Sequence, residues 1–166
     1  MSRGNLQQAL ENTNTVYQEL VAIANDIIDK CVKESRKTMA EIRDNIATMT
    51  NDDIRVYMTK LSLLAYSLSE IKDKAAMKSS VAATLRKEAY ANEFNGASGA
   101  VAARESVAQL NTADEILSQT VNDLVADVLK SHLDEIHRMI QVLQSCIMSR
   151  LSEAKFMSIT DTTTND

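Results

Sequence analysis

Two histidines, a handful of adjacent carboxylates and two cysteines are the residues whose types suggest catalysis or metal binding. His132 and His137 are five apart, about 140° around a helix, so they do not share a face as an i, i+4 chelating pair would. Each is expected at the surface or at its boundary. Asp52-Asp53 and Asp134-Glu135 are adjacent and so point to different helix faces, which suits a cap or a solvated surface. Cys31 and Cys146 stand far apart, with no CxxC and no Cys/His cluster. Each lies in an apolar register, as a small buried hydrophobe would. The segment Gly96-Ala-Ser-Gly99 lacks the lysine and the preceding strand of a phosphate-binding loop, and no serine stands in a nucleophile elbow. The expectation is a protein without enzymatic activity, metal or cofactor.

Cations are the more informative side chains. Lys30, Lys33 and Lys37 recur at i, i+3, i+7 with Arg36 beside them. Further on, Lys74, Lys78 and Arg86 cover about a third of a helix circumference, flanked by Lys72 and Lys87. Such stripes can follow a phosphate backbone, and an oligomer would repeat them. Tyr90 and Phe94, one turn apart just beyond Arg86-Lys87, offer faces for base stacking, or else pack against a neighbouring helix. Over residues 30–104 there are thirteen Lys or Arg against nine Asp or Glu; the rest of the chain has five against fourteen. The middle is basic and both ends are acidic, a distribution that lets a polyanion touch the centre although the net charge is −5.

These residues must be positioned by helices. The 166-residue chain has no proline, three glycines and no tryptophan, and is rich in good helix formers. The fold class expected is all-α: an elongated, oligomeric bundle of three long helices, straight or kinked, over roughly 6–48, 51–93 and 101–157. These make one helical domain, 1–157, followed by a polar tail, 158–166, whose composition predicts disorder. The first apolar stripe is Leu6, Leu10, Tyr17, Leu20, Ala24, Ile27 and Cys31, resuming at Met39, Ile42, Ile46 and Met49. The second has near-heptad spacing through Ile54, Tyr57, Leu61, Leu64, Leu68, Ile71, Ala75, Ala82 and Leu85, with Lys78 where an apolar residue would belong. The last runs through Ile136, Ile140, Leu143, Ile147 and Leu151. Thr50 is placed to cap the second helix, with Asp52 and Asp53 in its first turn. Gly96 and Gly99 suit a reversal with positive φ. Thr112 and Glu115 have capping-box spacing, and signal either a second helix start or a strong patch inside one helix. Helices of forty residues reach about 60 Å, so a thin bundle leaves apolar stripe uncovered and favours self-association. No secretory or membrane-spanning segment is legible, and the expected location is a cytoplasm.

In order, the chain shows a Leu/Tyr seam (YMTKLSLLAYSLSEIKDKAAMK), a basic Ala-rich helix (AATLRKEAYANEF), a small-residue gap (NGASG), an Ala/Arg/Glu segment (AVAARESVA) and a long C-terminal helix. Over roughly residues 54–150 this order resembles the helical phage proteins of the recombination-mediator type, the UvsY-like family. The resemblance implies a non-enzymatic, oligomeric, single-stranded-DNA-binding protein of the host bacterial cytoplasm. It would help load a recombinase while a single-strand-binding protein is displaced. It also implies DNA contacts at Arg86 and Lys87, extended by Lys78 and Lys74. The acidic ends depart from that pattern. The competing expectation is a helical interaction protein, an inhibitor of a host or anti-phage protein or a scaffold, that docks a partner on an uncovered stripe without touching nucleic acid. A small transcription regulator fits less well, because no short helix–turn–helix with a basic recognition helix is present.

Overall fold

The computed structural model describes the backbone of residues 3–163, and the side-chain surroundings of residues 18–157 together with Thr15. Among the described residues the secondary structure is entirely helical, in the order α1 (Arg3–Asn45), α2 (Asn51–Gly96), α3 (Val101–Asn111) and α4 (Ala113–Thr163). The all-α expectation holds. The stretch 101–157, read as a third helix with either a second start near Thr112 or a strong patch inside it, is two helices, α3 and α4, parted at Thr112. There φ and ψ are −109° and 17°, and the buried Thr112 hydroxyl donates back to Ala108 O at 2.9 Å. The capping box anticipated between Thr112 and Glu115 therefore does not form, since the hydroxyl is turned toward the preceding helix. Helical backbone in α4 covers 158–163, part of the tail whose composition predicts disorder.

The α1–α2 link follows from its sequence. Thr50 Oγ1 accepts from Asp53 N–H at 3.1 Å, while the Asp53 carboxylate accepts from Thr50 N–H at 2.9 Å and from the Thr50 hydroxyl at 2.7 Å. This reciprocal cap satisfies donors that a first turn leaves unpaired. Those hydrogen bonds hold the Asp53 carboxyl below its ordinary value. Between α2 and α3 only Gly99 takes a positive φ, +114°. Gly96 ends α2 without one, and Ala97 N–H still reaches Glu93 O at 3.0 Å.

The chain gathers into two compact units, one built from the residues up to Cys31 with Glu70–Lys130, the other from Val32–Ser69 with the chain from Ser131 onward. The second unit has the larger core side chains: Val32, Met39, Ile42, Ile54, Leu61, Ile136 and Leu143 are all 2 % exposed or less. Among the described residues of the first unit the core is thin. Ala24, Ala75, Ala82 and Ala108 supply much of it, with Ile28, Val125 and Leu129. Alanine allows close helix approach but covers little of the neighbouring surface.

The α2 seam departs from its expected register. The buried positions are Ile54, Leu61, Ala65, Leu68, Ala75, Ser79 and Ala82, whereas Lys78 is exposed and Leu85 is 52 % exposed. The seventh-residue column was legible; its companion column is four residues on rather than three. Ser79 can take a core position because its hydroxyl donates to Asp123 of α4. In the first stripe, Ala24, Met39, Ile42 and Met49 are buried as expected, but Ile28 and Val32 take the core places expected of Ile27, which is 39 % exposed, and Cys31, which is half-buried. Leu6, Leu10 and Tyr17 lie outside the residues whose side chains are described.

Candidate functional site

The first unit contains an open groove of about 460 Å³ between α2 and α4. Met77, Val81 and Leu85 form its apolar wall, and Ser118 and Asn122 stand on the α4 side. These three apolar residues recur every fourth position, so they lie in one column along α2. Each is more than half exposed, at 61 %, 53 % and 52 %. Lys74 and Lys78 border the same groove. The arrangement follows from the thin alanine core: Ala75 and Ala82 bring α4 close to one side of α2 and leave the adjacent column bare. The column is present in the sequence as Met77-Val81-Leu85, but heptad spacing places Leu85 in the seam, where it is 52 % exposed.

The sequence-expected cations are exposed, except Lys72, which is half-buried and pairs with Asp73 at 3.0 Å, and their partners differ. Lys30 pairs with Asp26, Lys74 with Glu70 at 2.6 Å, and Lys37 with Glu41 at 3.9 Å, each within its own helix. Apart from the half-buried Glu41 these groups are well solvated, so each pair contributes little. Arg86 donates to the neutral Gln119 Oε1 at 3.3 Å. Lys33, Lys78 and Lys87 have no carboxylate partner among the described residues. Lys74, Lys78, Arg86 and Lys87 belong to the first unit with the groove; Lys33 and Lys37 belong to the second.

Tyr90 and Phe94 are both half-buried and stack on each other, centroids 6.2 Å apart and planes 10° from parallel. The guanidinium of Arg104, from α3, lies over the Phe94 ring at 4.2 Å, and its Nε–H donates to Phe94 O at 2.8 Å. Arg104 therefore joins α3 to the end of α2 through a cation–π contact and a backbone carbonyl. The ring offered for base stacking is thus engaged by the protein's own arginine. Asn111 adds a second tie, donating to Glu93 at 2.7 Å.

A polar cluster that the sequence did not reveal occupies the second unit. His132 is buried, not at the surface as expected. Its Nε2 lies 2.7 Å from Ser35 Oγ and its Nδ1 lies 3.2 Å from Glu135 Oε2. Burial holds the imidazole pKa below its ordinary value; Glu135 opposes that shift and Arg36 adds to it. The order serine–imidazole–carboxylate is that of a nucleophilic triad. Ser35, however, is fully buried and also donates to Val32 O at 2.9 Å, so its oxygen is shielded from solvent. In this geometry the cluster ties α1 to α4. His137 is exposed. Nothing in sequence spacing links Ser35 to His132, ninety-seven positions apart.

Arg150 was also missed. From α4 its guanidinium donates to Met49 O at 2.6 Å and Ile46 O at 3.1 Å, two carbonyls of the link between α1 and α2. The same unit has an open groove of about 530 Å³ between α1 and α4, lined by Met39, Ile42 and Val142 with Arg43, Glu135 and Arg138 at its polar positions. Both arginine and glutamate border it, so it shows no single charge preference.

Cys31 and Cys146 are free and half-buried. Among the described residues no group of three His, Cys, Asp or Glu is placed to hold a metal ion, and no helix is long and apolar enough to cross a membrane. No family model matches the chain, and neither a curated protein nor a solved structure matches it.

Proposed function

We propose that the protein works as a helical interaction module, and that the α2–α4 groove of the first unit docks a protein partner. One observation carries this reading: three large apolar side chains in a single column, Met77, Val81 and Leu85, each more than half exposed beside two lysines. Burying a side chain of this kind from full exposure is worth roughly 1.5–3 kcal/mol. Covering the exposed half of all three would therefore stabilise a complex by a few kcal/mol before the costs of association. A helix laid along the column would use the same i, i+4 spacing. Lys74 and Lys78 would favour an acidic partner and disfavour a basic one. Self-association is the form of docking that also satisfies the apolar stripes read from the sequence.

The reading is tested by placing a photoreactive amino acid at Val81, and separately at exposed Glu88 as a control, in cells producing the protein. A crosslinked polypeptide at Val81 and none at Glu88 is the expected result. Adducts to nucleic acid alone, or none at Val81, would overturn it.

A second reading is favoured by the exposed cations at Lys78, Arg86 and Lys87, which no carboxylate neutralises among the described residues. These could hold single-stranded DNA, as a recombination mediator loading a recombinase would require. Binding through about three phosphates would fall with salt at a log–log slope of about −2. An anisotropy titration with a labelled single-stranded oligonucleotide separates the two readings. Micromolar, salt-sensitive binding lost in Arg86→Glu/Lys87→Glu supports the DNA reading; no binding at low salt removes it.

A further inference from the structure

We propose that the occupant of the α2–α4 groove is α1 of a second copy of this chain, entering through Ile23 and Ile27; this rests on the reading of the groove as a protein-docking site. Ile23 and Ile27 are one turn apart on α1 and 53 % and 39 % exposed. The column next to them, Ala24 and Ile28, is already buried in the same unit, so among the described residues α1 shows a second apolar face that is only partly covered. Glu19 lies one turn before Ile23, and Asp26 stands between the two isoleucines; both are exposed.

The two surfaces match in shape class and in charge. The groove column from Met77 to Val81 repeats the one-turn spacing of Ile23 and Ile27, so two anchors can seat against it side by side. Residues 18–30 hold three carboxylates against one lysine, while residues 70–87 hold five Lys or Arg against two carboxylates. Glu19 and Asp26 therefore meet Lys74 and Lys78 with opposite sign. The present partners of Asp26 and Lys74 are intrahelical and solvated, and such pairs exchange at little cost. Each copy owns both surfaces. Two copies related by a two-fold axis can therefore exchange α1 reciprocally, making the same contact twice and leaving no open end.

This geometry has a test that a chance association would not pass. In Lys74→Glu/Lys78→Glu the groove becomes acidic and repels its own acidic α1. In Glu19→Lys/Asp26→Lys α1 becomes basic and repels its own basic groove. Mixed one to one, the two variants restore opposite charges at both contacts. Sedimentation velocity at low salt is expected to show a wild-type dimer, at least about tenfold weaker association for either variant alone, and recovery to within about threefold of wild type for the mixture. Circular dichroism checks that each variant is helical. Val81→Ser, which changes no charge, is an independent variant and should also weaken association at least about tenfold. A monomeric wild type, or a mixture no tighter than its components, overturns the proposal. A monomeric wild type whose Val81 still crosslinks another polypeptide overturns the homotypic partner and leaves the docking site standing. A monomer with no polypeptide crosslink overturns both.

Discussion

Thr38 is fully buried and its hydroxyl has no hydrogen-bond partner among the described residues. Replacing an unpaired buried hydroxyl by a methyl of similar shape removes a desolvation penalty. Thr38→Val is therefore expected to be stabilising by about 1 kcal/mol, raising Tm by about 2–4 °C in a chain of this size; a fall in Tm would contradict the assignment. His132 carries the second residue-scale expectation. Its folded pKa lies below that of a solvated imidazole because burial disfavours the charged form. The unfolded chain then binds more protons as pH drops below about 6.5, so stability falls through that window until the folded group titrates as well. Denaturation midpoints measured across that range should decline for the wild type and flatten in His132→Gln. Neither Thr38 nor His132 was legible as a buried polar group. His132 stands i, i+4 from Ile136, on the same helix face, and its polar type rather than its register makes it read as surface or boundary.

Single helices were largely readable because their ends are local chemistry. Thr50 and Asp53 cap α2 as their three-residue spacing implies. At Thr112 the sequence allows either a second helix start or a strong patch inside one helix; the break is present, with the threonine bonded to the turn behind it. Only one of the two candidate glycines needs its freedom. Gly99 sits at φ +114° with open space about it, so Gly99→Ala should cost about 1–2 kcal/mol through backbone conformation alone. Gly96 has a negative φ and equal room, so Gly96→Ala should be neutral or slightly stabilising. Thermal denaturation of the pair checks this, and equal shifts would contradict it. Arg150 acts at the same scale from a distant part of the chain. Removing it leaves the Ile46 and Met49 carbonyls without their charged donor, so Arg150→Ala should destabilise by about 1.5–3 kcal/mol, a clear loss in urea midpoint. A cap that reaches from Arg150 back to Met49 has no signature in sequence spacing, and neither has the ten-residue reach of Arg104 to Phe94 O.

For the molecule as a whole, composition foretold helices and an uncovered apolar face, but not which face. The alanine run after Ala75 was visible as a thinning seam. Its consequence, that Met77, Val81 and Leu85 stand bare while Ser79 fills the core, depends on a one-residue difference in the companion column. The charge asymmetry between a basic middle and acidic ends is equally a sequence property. The structure turns it into two surfaces within one unit, an acidic apolar column at Ile23 and Ile27 and a basic apolar groove at Met77. Methionine oxidation reads that groove most directly, because Met77 and Met148 are exposed to similar extents, 61 % and 63 %. Peroxide footprinting of the purified protein over rising concentration should slow oxidation at Met77 relative to Met148 as copies associate. Equal rates at the two methionines at every concentration would contradict a groove closed by a second copy.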